Sequence, residues 1–369
     1  MGITDRYSRQ TQLPGFGQQA QDKLGNSKVL IVGAGGLGVP ALQYLVGMGI
    51  GTIGIVDGDT ISLNNLHRQV LYSESEVGRS KADTAVEKLG KLNAEVKLKS
   101  FPFFLTPQNA LSIIKEYDLV IDASDNFATR YLVNDACVIL NKPFIYGAVQ
   151  QYEGHVSVFN FLDGPTYRCL YPDMPAANEI PDCNTAGILG VVPGIIGTHQ
   201  ALQAVKVITG VGKSLSGYLQ VFDFQGDEQL KIKLKLNPKN KQLTELQKSY
   251  DKPACGFTKA LEAEELFKLY AAQSPFYLID VREPKEFNEE RLKGAHPFPL
   301  SALNSDIKKL PEDITLITIC QIGGRSAKAA EIISKARPNA TVFNVAGGME
   351  AWLDVLGDQL VEYPKAQKA

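Results

Sequence analysis

The sequence predicts an α/β fold built on an open, doubly wound sheet, followed by a second, smaller α/β module. Three observations predict it: strand-like and helix-like periods alternate through the first half, a glycine-rich turn joins the first such strand to its helix, and alternation resumes after a polar break. In order, Lys28–Val32 is a β-branched run, Pro40–Met48 has helical character, and Thr52–Val56 is the next strand. A helix over Ser80–Leu92, the strand Leu119–Asp122, a helix over Ala128–Leu140 and the strand Pro143–Tyr146 continue the pattern. Gly154–Phe161 and Tyr218–Phe224 are further strands flanking a Gly-rich apolar segment, Gly187–Gly210, that reads as a buried helix with loosened ends.

Hydrophobic periodicity then fades through Asn237-Pro238-Lys239-Asn240-Lys241-Gln242 and Asp251-Lys252-Pro253. This break predicts a first domain over 1–238, a linker over 239–257 and a second domain over 258–369. The second carries a helix over Ala263–Ala271, strands Phe276–Asp280, Ile314–Ile319 and Thr341–Val345, and a helix from Ser326. With 38 Lys plus Arg against 40 Asp plus Glu, the chain has no basic footprint of the kind nucleic-acid binding requires. The N-terminus lacks a signal-peptide core and no stretch reaches the ~18 apolar residues of a membrane span, so a cytoplasmic protein is expected. Five cysteines without a Cys-x-x-Cys pair argue against a disulfide framework.

Val29 to Val32 runs into Gly33-Ala34-Gly35-Gly36-Leu37-Gly38, and Pro40 falls in the first helical turn. Glycines let the backbone turn tightly and approach phosphates, and a helix N-terminus offers free N–H groups to an anion. Asp57 closes the next strand, where a carboxylate accepts from a ribose hydroxyl, so the half is Rossmann-like. The ligand is a dinucleotide or ATP. Asp57-Gly58-Asp59, Asn64 to Gln69, Gly78-Arg79-Ser80-Lys81 and Asp122 to Asn126 add cations and carboxylates suited to a triphosphate with magnesium.

From Arg6-Tyr7-Ser8-Arg9-Gln10 through Gly33 to Gly38, Asn64 to Gln69, Lys81 and Asp125-Asn126, the first two-thirds resembles the ubiquitin-activating-like adenylyltransferases of the molybdopterin and thiamine pathways. The resemblance implies adenylation, with Mg-ATP, of the C-terminal glycine of a small ubiquitin-like sulfur carrier ending in Gly-Gly. It implies that Asp57 holds the ribose, that Asn65, Arg68 and Lys81 contact phosphates, that Asn64, Gln69 and Asn126 belong to the same site, and that Asp125 supports magnesium. Arg9 matches an arginine that reaches into a partner subunit's site, which implies a homodimer. Cys183, in Asp182-Cys183-Asn184-Thr185, matches a cysteine able to link covalently to the activated carrier.

Many such enzymes carry a structural zinc held by two Cys-x-x-Cys pairs. Here Thr166 stands where the first cysteine would be, Cys169 is the second, and the other pair would fall near Asn237 to Gln242, where there is none. No structural zinc is therefore expected.

In the second half, Cys320-Gln321-Ile322-Gly323-Gly324-Arg325-Ser326 places a cysteine on a glycine loop between a strand and a helix N-terminus, beside a cation. That setting stabilises an anionic persulfide. Together with Leu278 to Pro284, Gly294-Ala295-His296-Pro297 and Gly347 to Trp352, the loop resembles the rhodanese pattern, with Gln321 where arginine is common. A phosphatase reading of the Cys-loop-Arg is disfavoured by the short loop. The resemblance implies a small α/β rhodanese domain carrying sulfur on Cys320 near Arg325, loaded by a persulfide protein or thiosulfate. One chain would then convert an adenylated carrier to its thiocarboxylate. Alternatively, the rhodanese-like half is a docking or regulatory module.

Overall fold

A computed structural model describes residues 6–174, 187–250, 259–337 and 339–364. The chain divides into two compact units, one running to residue 251 and the other starting at 252.

The first unit is an eight-stranded sheet: β1 (Lys28–Val32), β2 (Thr52–Val56), β3 (Lys97–Phe101), β4 (Leu119–Asp122), β5 (Phe144–Gln150), β6 (Glu153–Phe159), β7 (Tyr218–Asp223) and β8 (Glu228–Lys233). Their spatial order is β3-β2-β1-β4-β5-β6-β7-β8. The first five are parallel and the remaining three join antiparallel. Val29 pairs with Ile53 on one side and Leu119 on the other, so the winding reverses between β1 and β4 and opens a crevice at their C-terminal ends. Helices Gly38–Gly47, Lys81–Leu92 and Val191–Thr209 contribute to the core on one face, and Ala110–Ile114 and Phe127–Ile139 to that on the other. After exposed Lys28, β1 is an uninterrupted apolar run because both its faces are covered.

Strands Lys28–Val32, Thr52–Val56 and Leu119–Asp122 coincide with the sequence reading. The Gly-rich apolar segment is the helix Val191–Thr209, stopped by Gly210 in the left-handed conformation. β3 and β8 escape sequence reading because they are the two edges of the sheet: their short runs, KLKSF and EQLKIK, mix apolar residues with lysines and bury little or nothing on either face. Part of the segment that composition reads as linker is packed on this unit: Leu246 lies against the core, and buried Tyr250 donates its hydroxyl to Asp135 Oδ2 at 2.7 Å.

The second unit is a parallel five-stranded sheet, β12-β10-β13-β14-β9, comprising β9 (Lys259–Leu261), β10 (Phe276–Asp280), β12 (Ala295–Pro297), β13 (Thr315–Ile319) and β14 (Val342–Val345), with a separate antiparallel pair of β11 (Arg291–Leu292) and β15 (Val361–Glu362). Helix Gly324–Ala336 packs on one face, and Ala263–Ala271 and Gly348–Leu356, with fully buried Trp352, on the other. Central β13 delivers Cys320 at its C-terminal end. Among the described residues no helix is long and apolar enough to cross a membrane.

Candidate active sites

A cavity of about 560 Å³ opens where the winding of the first sheet reverses, at the ends of β1, β2 and β4. The four glycines do different work there. A Cβ on Gly33, whose φ is +100°, would lie 2.6 Å from the Ala123 carbonyl oxygen, and one on Gly38 would lie 1.9 Å from the Gly33 oxygen, so both permit backbone contact. Gly35 and Gly36 line the cavity, and a Cβ on Gly35 would meet only the Gln69 amide, at 3.4 Å.

Asp57 ends β2 beneath this turn. Its Oδ2 accepts from the Ala34 N–H at 2.7 Å and its Oδ1 from the Asp59 N–H at 2.8 Å. Burial pushes its carboxyl above the ordinary range, opposed by nearby Lys81 and these two hydrogen bonds. Lys81 is itself buried, and its Nζ donates to Asp59 Oδ2 at 2.9 Å. The result is a carboxylate, ammonium and carboxylate in sequence along one wall. On another wall, Arg68 donates to Asn65 Oδ1 and lies 3.4 Å from the Asn64 carbonyl oxygen. Gln69 is buried, with no hydrogen-bond partner for its Oε1 among the described residues. Asn126 caps the helix Phe127–Ile139 through the Thr129 N–H, and exposed Asp125 lines the same rim.

The cavity thus brings together Gly33, Gly35, Gly36, Asp57, Asn64, Asn65, Arg68, Gln69, Lys81, Asp125 and Asn126. Gly38 supports it from behind. Arg9, exposed on the short turn Ser8–Thr11, is not among the lining residues. Sequence reading missed Phe104 and Leu105. They follow β3, and the Phe104 ring lies so close to Gly58 that a Cβ there would come within 2.8 Å of it. The exposed Phe103-Phe104 pair was the available signal, hidden by the unrecognised edge strand.

A second hollow, about 770 Å³ and predominantly apolar, lies along helices Gly38–Gly47 and Val191–Thr209. Tyr44, Val70, Val191, Ile195 and Leu202 around it are all exposed, and Arg68 lines this hollow as well as the first cavity.

In the second unit, Cys320 is fully buried at the start of its loop. Gly323, at φ +87°, turns the chain into helix Gly324–Ala336. Gly348 lets a neighbouring backbone approach: a Cβ there would lie 2.2 Å from the Cys320 oxygen, which accepts from the Met349 N–H at 2.8 Å. The loop's side chains are tied to the segment after β10. Arg325 makes two bonds to Glu286, at 2.7 and 2.6 Å, which hold the Glu286 carboxyl down at about 2. Buried Arg282, paired with Asp280 at 2.9 Å, donates to Gln321 Oε1 at 2.9 Å. An arginine at 321 would face that guanidinium, which accounts for the amide. Cys183 lies outside the described residues, and among the described residues no group of three or more His, Cys, Asp or Glu side chains converges to hold a metal.

A reversed-winding α/β sheet with a glycine turn and a carboxylate–lysine wall defines a nucleotide-binding enzyme, here coupled to a cysteine-loop domain. Residues 7–245 match the ThiF family and residues 262–354 the rhodanese-like domain. The chain is 37% identical over 375 residues to the probable adenylyltransferase/sulfurtransferase MoeZ of Mycobacterium tuberculosis, covering 97% of this chain and 95% of that one. It is 38% identical over 378 residues to adenylyltransferase and sulfurtransferase MOCS3-2 of Zea mays, covering 94% and 78%. Among solved structures it is similar to Escherichia coli MccB with ATP, at 25% identity and a TM-score of 0.54, covering 63% of this chain and 72% of that one. This chain belongs to the ThiF family and carries a rhodanese-like domain; it is an adenylyltransferase and sulfurtransferase.

Proposed function

We propose that the first unit adenylates the C-terminal glycine of a small ubiquitin-like carrier ending in Gly-Gly, and that the second supplies sulfur from a Cys320 persulfide to make the carrier thiocarboxylate. The observation that carries the first step is the cavity at the winding reversal, where the cradle of Gly35 and Gly36 faces Lys81 and Arg68. ATP fits it chemically: Asp57 accepts from the ribose, Phe104 and Leu105 offer an apolar wall to the base, and Arg68, Lys81, Asn64, Asn65, Gln69 and Asn126 surround the phosphates. The hard carboxylate oxygens of Asp125 suit magnesium, whose chemistry is to neutralise phosphate charge.

The carrier carboxylate attacks the α-phosphorus and pyrophosphate leaves. The terminal persulfide sulfur then attacks the acyl carbon, expelling AMP and leaving an acyl disulfide. Attack by a second thiol on the Cys320 sulfur releases the thiocarboxylate and leaves a disulfide that a cellular dithiol resets. Cys183 is the proposed second thiol. A persulfide protein or thiosulfate loads Cys320.

The exposed apolar face bordered by Arg68 supports a homodimer in which Arg9 completes the partner's site. Residues 239–257, whose first part packs on the first unit, lead from the domain over 1–238 to the domain over 258–369, in a cytoplasmic protein where the free thiols of Cys137, Cys169 and Cys320 stay reduced. ATP–pyrophosphate exchange tests the first step: it requires the carrier, and Arg9→Ala lowers it without lowering the melting temperature. Exchange without any carrier refutes the substrate assignment.

A further inference from the structure

Cys169 sits where two segments of the first unit meet. One is the turn Tyr167–Leu170 with Thr166 at its N-cap, and the other is the turn Pro238–Lys241 preceded by Asn237. The Cys169 sulfur lies 3.4 Å from the backbone nitrogen of Thr166 and 3.4 Å from that of Asn237. The Thr166 hydroxyl and Asn240 Nδ2 each lie 3.5 Å away. Burial would push this thiol up, but the donors from Asn237, Thr166 and Asn240 together hold it below its usual range.

The spacing is that of a metal knuckle. Thr166-x-x-Cys169 and Asn237-x-x-Asn240 have the spacing of the two cysteine pairs that the resemblance implies for zinc-bearing members, and the folded chain brings both onto one sulfur. A threonine hydroxyl and two asparagines cannot replace three thiolates around zinc, so this donor set does not fit the metal. The three residues instead do what thiolates cannot, since two backbone N–H groups, a hydroxyl and an amide all have protons to offer to a sulfur acceptor.

We infer that this chain replaces the structural metal with a hydrogen-bond knot, in which the Cys169 sulfur gathers Thr166, Asn237 and Asn240 and pins the Pro238–Lys241 turn to the first unit. An adjoining tie reinforces it. Arg168, the neighbour of Cys169, makes two bonds of 2.7 Å to Asp135, which also accepts from Tyr250 near the end of the described part of this unit. The chain leaving the first unit is thereby anchored without a metal ion.

The test uses full-length protein: zinc content by elemental mass spectrometry, and thermal unfolding with and without a chelator, for wild type, Cys169→Ala and the triple variant T166C/N237C/N240C. Wild type is expected to hold far less than one zinc per chain and to melt identically with chelator. Cys169→Ala lowers the melting temperature by roughly 3–6 °C. The triple variant acquires about one zinc per chain and becomes chelator-sensitive. Stoichiometric zinc in wild type overturns the inference, as does an unchanged melting temperature in Cys169→Ala. A folded triple variant that takes up no zinc refutes the correspondence of corners; if that variant fails to fold, wild-type metal content and Cys169→Ala decide the question.

Discussion

The glycine turn performs two tasks that single substitutions can separate. A methyl at 38 would sit 1.9 Å from the Gly33 oxygen and 2.8 Å from its carbon, atoms of backbone held by the end of β1. Relieving that contact requires a backbone shift of about 1.5 Å, so the cost reaches or exceeds the ~1–3 kcal/mol typical of overpacking. For a unit of this size each kcal/mol lowers the melting temperature by roughly 2–4 °C, which places Gly38→Ala about 2–12 °C or more below wild type. Gly35→Ala differs, because its methyl meets only the Gln69 amide at 3.4 Å and projects into the cavity. Its stability should stay within about 0.5 kcal/mol of wild type. A methyl in the phosphate cradle should nevertheless raise KM for ATP about tenfold, equivalent to ~1.4 kcal/mol. Thermal unfolding and pyrophosphate exchange on both variants decide the matter. A Gly38→Ala protein that melts like wild type, or a Gly35→Ala protein with unchanged KM, would refute the division.

Lys81→Met removes the buried cation from the carboxylate wall and should lower pyrophosphate exchange by about 10²–10³, the loss typical of one preorganised electrostatic group; a loss below threefold would place Lys81 outside the reaction. Glu286→Gln frees the Arg325 guanidinium beside Cys320, so KM for the anion thiosulfate should fall several-fold in a thiosulfate–cyanide assay while melting changes little, the pair being one-third exposed. Because the Glu286 carboxyl is held at about 2 in the fold, below its ordinary value, the stabilisation it brings is complete above that ordinary value and is lost only as pH falls through about 2. Sulfur loading between about pH 5 and pH 9 should therefore show no inflection that Glu286→Gln removes. Asp135→Asn strips the charge opposite Arg168 while leaving that guanidinium mostly buried, and urea denaturation should show a loss of about 3–5 kcal/mol.

Legibility in the sequence followed burial and backbone demands. β1, β2 and β4 could be delimited to the residue because central parallel strands are apolar on both faces and glycine or acidic residues punctuate their ends. β3 and β8 could not, since a few apolar residues among lysines on a solvated edge do not stand out from polar loop, and the loss of β3 concealed Phe104 and Leu105. Local order along the chain pointed to the cavity residues, but nothing local distinguishes Gly38, which packs backbone on backbone, from Gly35, which faces the ligand space. Gln321 was readable only as a departure from a pattern; its reason, the buried guanidinium of Arg282, comes from a residue 39 positions away. Likewise Asn237 and Asn240 looked like linker composition until folding placed both on the Cys169 sulfur.

The intact mass of carrier proteins ending in Gly-Gly, recorded after incubation with Mg-ATP, a sulfur donor and either wild type or Cys320→Ser, tests the coupling of the two reactions most directly. The account predicts replacement of one carboxylate oxygen by sulfur with wild type, and an adenylated carrier without sulfur in the variant. Equal thiocarboxylate from both proteins would contradict it, leaving the rhodanese-like unit as a docking or regulatory module.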